Sequence, residues 1–82
     1  MFGHHTHAFT VKLLSIDDEV IEKAGFTLHA PTLVAALDNV SLLLASPMAP
    51  EARAALIQCT ELNLSTAPEW SPKLQGLRLA RA

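Results

Sequence analysis

Residues 31–46 carry the strongest periodic pattern in the chain, an apolar stripe that repeats with the period of an α-helix. The pattern predicts a helix from Pro31 to Ser46, because proline is favoured at the first helical position. Leu42 falls outside the stripe, on the polar side of this helix. The rest of the chain must cover the stripe, which comprises Leu33, Ala36, Leu37, Val40, Leu43 and Leu44.

The segment before this helix contains a second clear pattern. Residues 8–14 alternate between apolar and polar side chains and predict a β-strand. Residues 15–18, with the sequence Ser-Ile-Asp-Asp, are typical of a helix start, and Gly25 suits a helix end, so a short helix is expected at 17–24. Residues 26–29 are ambiguous, and a second strand that pairs with the first is one interpretation.

The segment after the long helix predicts another helix. Pro47 and Pro50 end the first helix and begin the second, and the expected buried face of the second consists of Ala52, Ala55, Leu56, Cys59 and Leu62. Two helices joined this closely predict a central helical hairpin. The expected fold is therefore α+β and mainly helical, with an N-terminal strand or short hairpin followed by two or three packed helices.

Composition divides the chain into three parts. Residues 1–7 are expected to form a flexible, histidine-rich N-terminus, residues 8–64 a single globular domain, and residues 65–82 a basic tail that contains proline, tryptophan and leucine. Residues 1–64 hold three basic and seven acidic side chains, whereas residues 65–82 hold three basic and one acidic. Residues 77–79, Leu-Arg-Leu, alternate like a strand and could pair with the N-terminal strand.

The size of the chain favours association. A core built from 82 residues is small, and the single cysteine, Cys59, cannot form an internal disulfide. Homo-oligomer formation or docking on another protein is therefore expected. A formal net charge of −2 disfavours nucleic-acid binding. A secretory signal and an apolar stretch of membrane-spanning length are both missing from the sequence, which predicts a cytoplasmic protein without membrane contact.

The histidines near the N-terminus are the only concentrated metal-binding chemistry. In an extended chain His5 and His7 share one side, where their imidazoles could bind Zn²⁺, Ni²⁺ or Cu²⁺ with His4 or His29 as a further ligand. A frayed N-terminus whose histidines bind nothing is the simpler interpretation, and it predicts no cofactor.

Motifs for catalysis are missing from the sequence. The chain contains no nucleophile elbow, phosphate-binding loop or dinucleotide-binding motif. Cys59 lies on the apolar face of its expected helix, with no basic neighbour in register to stabilise a thiolate. We therefore expect a protein that is not an enzyme.

Residues suited to protein contacts are the remaining candidates. Trp70, the only tryptophan, either anchors the tail onto the helices or is presented to a partner. The predicted interaction residues are Leu42, Trp70, Leu74, Leu77 and Leu79. The predicted function is that of a small, cytosolic, non-catalytic interaction module of bacterial or phage type, an adaptor, inhibitor or regulator that forms a homodimer. The alternative is a metal-binding or metal-sensing protein that uses the N-terminal histidines.

Overall fold

An antiparallel sheet with a helix on one face makes up the described part of the chain. The computed structural model describes residues 6–21, 24–46 and 51–81. Its elements, in chain order, are β1 (His7–Leu14), β2 (Phe26–Ala30), α1 (Leu33–Ala45), β3 (Ala54–Gln58), β4 (Trp70–Ser71) and β5 (Gly76–Ala80). The strand predicted at residues 8–14 is confirmed as β1, and the ambiguous segment after Gly25 is its partner β2.

The five strands lie in the order β2-β1-β3-β5-β4, and every pair is antiparallel. β1 therefore has a partner on each side: Thr10 lies opposite Thr27 of β2 and opposite Gln58 of β3. α1 connects β2, on one side of β1, to β3, on the other side of β1. This arrangement leaves β2 at one edge of the sheet and β4 at the other.

The two faces of the sheet are covered differently. Because side chains alternate along a strand, Phe9, Val11 and Leu13 of β1 all point to the face that α1 covers, and all three are buried. On the opposite face, which we call the open face, Leu14 and Leu56 form a smaller cluster with Ala54 and the half-buried Leu74. The main core thus lies between the sheet and α1.

The long helix is confirmed, with its first residue at Leu33 rather than Pro31. The Thr32 Oγ1 atom accepts a hydrogen bond from the Ala35 backbone N at 3.1 Å, which is the contact of an N-cap residue. Ala36, Val40 and Leu44 are buried, and the other residues of the predicted stripe are half-buried against the same core. The periodicity of this segment correctly identifies its buried face.

The mainly helical fold and the central helical hairpin are wrong. Residues 54–58, expected in the second long helix, form strand β3 in the middle of the sheet. Ala55 and Ile57 are buried against α1, whereas Ala54 and Leu56 are buried on the open face. A strand that is buried on both faces is apolar throughout and shows no alternation. Its alanines also have high helix propensity, so the local pattern favours the wrong element.

The short helix expected at residues 17–24 is also wrong within its described part. The Ser15 Oγ atom lies 3.3 Å from the Asp17 backbone N and 3.4 Å from that of Glu19, and it accepts hydrogen bonds from both. These bonds close a tight turn, after which Ile21 N donates to Leu13 O at 2.8 Å. Serine side chains stabilise turns as readily as helix starts, and here the turn forms.

Residues 65–82, set apart by composition, contribute β4 and β5 to the same sheet. β5 pairs with β3 and β4, not with the N-terminal strand β1. Arg81 donates from Nη1 to the Ala52 carbonyl at 3.1 Å and from Nη2 to the Ser46 carbonyl at 3.0 Å. These contacts join the end of the chain to the segments that flank β3. At the other terminus, His7 begins β1, and residues 1–5 lie outside the described residues.

Candidate interaction surface

The edge strand β2 is free of charged side chains. Its sequence, Phe-Thr-Leu-His-Ala, contains no acidic residue, lysine, arginine or proline. In the described part of the chain, β2 pairs with β1 alone, so its outer edge presents backbone groups to solvent. Proteins often protect such an edge with a charged side chain, a proline or a bulge. This edge has none of those residues, which makes it available for pairing with another strand.

Two apolar depressions lie between β2 and α1, and Phe26 and Leu43 line both of them. One, of about 250 Å³, is bounded by Leu13 and Ile21 at the end of β1. The other, of about 210 Å³, is bounded by Asn39 of α1. The Phe26 side chain is 37% exposed, although its ring borders both depressions. A large aromatic side chain at an unpaired edge is suited to contact with a second surface.

The outer side of α1 continues this surface. Asp38 is the only charged residue in the helix, and Leu42 is 72% exposed. At about 100° per residue, Leu42 projects roughly 60° from Asn39, on the exposed side of the helix and about 40° from Asp38. Val34 is 67% exposed and projects roughly 140° from Asn39 in the same rotational direction, about 80° beyond Leu42. We define the β2–α1 rim as Phe26, Leu28, Asn39, Leu42 and Leu43.

The other predicted interaction residues lie away from this rim. Leu77 is fully buried in the main core and offers no surface to a partner. Leu79 is half-buried against the same core, and Leu74 packs on the smaller cluster of the open face. Trp70 is half-buried against the main core, although no helical hairpin exists for it to anchor on. All four residues belong to β4, β5 and their connecting turn, so the structure does not bring them together with Leu42.

The two candidate metal ligands that the structure describes, His7 and His29, lie apart. The His7 Nδ1 atom lies 3.1 Å from Glu61 Oε1, and His29 lies opposite Ala8 on the other face of the sheet. His7 and His29 therefore cannot bind one ion together, while His4 and His5 lie outside the described residues. Within the residues that the structure describes, no three His, Cys, Asp or Glu side chains form a cluster that could hold a metal ion.

The sequence analysis missed most of the rim. It identified Leu42 but assigned Leu43 to the core and gave Phe26, Leu28 and Asn39 no role. One signal was present, namely the lack of charge over residues 26–37, which continues through α1 except for Asp38. A helix in such a run has apolar side chains on more of its surface than it needs to pack against the core of a small protein.

Comparison of the chain with models of protein families, with curated proteins and with solved structures finds no match. None of the described residues belongs to a helix with the length and apolar character needed to cross a membrane.

Proposed function

We propose that this protein is a non-catalytic interaction module that associates with a second copy of itself through the β2–α1 rim. The observation that carries the proposal is the unprotected edge of β2 beside an uncharged flank of α1. Backbone hydrogen bonds between the two edge strands would align them, and burial of Phe26 and Leu42 would supply apolar contact. The protein would act in the cytoplasm as an adaptor, inhibitor or regulator.

The proposed pairing places β2 antiparallel to β2 of the partner subunit, related by a two-fold axis near Leu28. Phe26 then lies opposite Ala30 of the partner subunit, and Thr27 lies opposite His29 of the partner subunit. The two five-stranded sheets would join into one, with both copies of α1 on the same face. The same residues are used by each copy, as a closed two-fold dimer requires.

The lack of charge on the β2–α1 rim favours a second copy of the chain as the partner that binds there. Each chain has a formal net charge of −2, so two acidic copies would repel if their contact surface carried that excess. The rim residues carry no acidic or basic side chain, and Asp38 lies beyond Leu42, roughly 100° from Asn39 around the helix. The five rim residues meet a copy of themselves without like-charge contact, and Glu51 is the one acidic side chain that lines an adjoining depression.

The experiment is a matched pair of substitutions on α1, measured by analytical ultracentrifugation. Leu42→Asp places a carboxylate within the proposed interface, and we expect the dissociation constant of the dimer to rise at least about 100-fold, equivalent to roughly 2.7 kcal/mol. Val34→Asp adds the same charge at a similarly exposed position about two helical turns before Leu42 and roughly 80° around the helix from it, and it should leave the dissociation constant within about threefold of the original.

Amide hydrogen exchange of the unsubstituted protein gives an independent measurement. The β2 amides that point away from β1 should be protected at high protein concentration and should lose that protection on dilution or in Leu42→Asp. A monomer at all concentrations would overturn the proposal, as would equal weakening by Leu42→Asp and Val34→Asp. Circular dichroism should show that both variants retain the fold.

A further inference from the structure

A third depression, which includes residues Thr10, Thr27 and Gln58 of the open face, is lined differently from the rim. It has a volume of about 570 Å³ and lies where β1, β2 and β3 meet the segment after β3. We call it the polar hollow and define it by Thr10, Thr27, Gln58, Asn63, Trp70 and Gln75. The rest of its lining consists of Ala8, Cys59, Thr60, Leu62 and Leu64. Its volume is within the range of small-molecule sites. Among the described residues, no acidic side chain, lysine, arginine or histidine lines it.

The floor of the polar hollow is a row of hydrogen-bonding side chains on three adjacent strands. Thr10 lies directly opposite Thr27 on one side and directly opposite Gln58 on the other. Neighbouring strands are about 4.8 Å apart, so the row offers a hydroxyl, a second hydroxyl and an amide at regular spacing. Both threonines are exposed, and Gln58 is half-buried. The sheet thus holds the groups in a fixed arrangement.

The wall beside Gln58 is formed by a residue in an uncommon conformation. Gln75 has a φ of 56°, in the left-handed region that favours glycine. Its carbonyl accepts a hydrogen bond from Gln58 Nε2 at 3.2 Å, which fixes the direction of the Gln58 amide. A Cβ at Gly76 would lie 2.9 Å from Gln58 Cγ and 2.7 Å from Leu56 Cδ1, so this glycine lets Gln58 lean across β5. Local strain of this kind is concentrated at binding sites.

We propose that the polar hollow binds an uncharged, hydroxyl-rich ligand, a neutral saccharide. Threonine hydroxyls and glutamine amides both donate and accept hydrogen bonds, as sugar hydroxyls do. Trp70 also lines the hollow, although the β4–β5 register places it opposite the buried Leu77, and its exposed part would provide an apolar surface for the C–H face of a sugar ring. A phosphate or carboxylate would find no cation to pair with, so the lining disfavours nucleotides and acidic metabolites.

The test is titration of the ¹⁵N-labelled protein, followed by NMR, with maltotriose, cellotriose and N,N′-diacetylchitobiose, each up to about 10 mM. Glucose 6-phosphate and cytidine are the charged and the aromatic comparison ligands. We expect at least one neutral saccharide to bind with a dissociation constant below about 1 mM and to shift the amide signals of Thr10, Thr27 and Gln58. Neither comparison ligand should bind as tightly.

Three variants make the test specific. The double substitution Thr10→Val, Thr27→Val removes two hydroxyls without loss of volume or strand propensity, and it should weaken binding at least tenfold. Thr66→Val, at an exposed turn residue outside the hollow, should leave binding unchanged. Gln75→Gly relieves the left-handed conformation but also removes the side-chain amide and its hydrogen bond to the Pro72 carbonyl, so it should weaken binding with only a small change in the melting temperature.

Each contrary outcome overturns the proposal. If no neutral saccharide shifts the named amides, the hollow is a surface depression and not a saccharide site. Tighter binding of cytidine or glucose 6-phosphate would assign the hollow to a different class of ligand. A saccharide that binds equally well to the Thr10→Val, Thr27→Val variant would have to bind elsewhere on the protein.

Discussion

The two edges of the sheet differ in how they are protected against pairing. β4 has only two residues, and Pro68 and Pro72 lie close to its ends. Glu69 and Lys73 add charges beside it. β2 has five residues, and its sequence contains no proline, lysine, arginine or acidic side chain. Short strands, prolines and charges are the means by which proteins prevent edge-to-edge association.

This difference supports the choice of β2 as the interface. Prolines and charged side chains protect the β4 edge. The β2 edge has neither, and it lies next to an apolar flank of α1. The β4 edge, by contrast, adjoins a tight turn in which the Ser71 Oγ atom accepts a hydrogen bond from Leu74 N at 3.3 Å. Loosening one edge should therefore leave the other intact.

The largest effect is expected at Leu77, the buried residue that connects β4 to the core. Leu77→Ala removes a side chain that is 0% exposed, which should lower the free energy of unfolding by about 2–5 kcal/mol in urea denaturation. Because Leu77 lies opposite Trp70, the β4 amides should exchange faster, while β2 should keep its concentration-dependent protection.

Leu79→Ala is the matched control for this substitution. Leu79 lies two residues further along β5 on the same face but is only half-buried. Leu79→Ala should therefore lower the free energy of unfolding by less than Leu77→Ala does. Equal exposure of both edges in Leu77→Ala would show that β2 and β4 open as one unit. The contrast between the edges would then be incorrect.

The elements that local pattern predicted well are those with one buried face. β1 and α1 each have a buried face and a more exposed one, so the periods of 2 and 3.6 residues are readable in their sequences. The edge position of β2 could not be predicted, because strand order is set by contacts between distant segments. Ala54 lies opposite Leu14 and Ala80, residues 40 and 26 positions away, and no local pattern encodes those pairings.

The candidate sites were predictable only in part. The helical period places Leu42 outside the core, and the structure agrees, because that position depends on one helix alone. The polar hollow combines residues of β1, β2, β3 and the β4–β5 turn, so it exists only once the sheet order is known. Thr10 and Thr27 carry no pattern that distinguishes them from ordinary solvent-facing strand residues.

A smaller effect is expected at Thr32, which links β2 to α1. Thr32→Ala removes the side-chain oxygen that accepts from Ala35 N, and the free energy of unfolding should fall by about 1 kcal/mol. The first helical turn would loosen, so self-association should weaken by less than about tenfold. Thr32→Ser keeps the cap and should restore both quantities. Full dissociation of the dimer in Thr32→Ala would contradict the assignment of the interface to β2 and the Leu42 flank.

The smallest effect on the free energy of unfolding is expected for an ion pair on the open face, which belongs to neither edge of the sheet. The Arg78 Nε and Nη2 atoms each lie 2.9 Å from Asp18 Oδ1, and the two side chains are 36% and 40% exposed. Asp18 has a φ of 61°, which asparagine also tolerates, so Asp18→Asn removes the charge without straining the backbone. Exposed ion pairs contribute little to stability because water and salt screen them. The free energy of unfolding should therefore change by less than about 1 kcal/mol.

Asp17→Asn is the matched control for Asp18→Asn, since Asp17 is an exposed carboxylate in the same turn with no ion pair among the described residues. Both variants should keep the dissociation constant of the dimer, because neither residue belongs to the rim. A selective loss of self-association in Asp18→Asn would mean that the turn at residues 15–21 transmits the state of the open face to β2. The edges would then be coupled through the loop that precedes β2, and the independence inferred from their different protection would not hold.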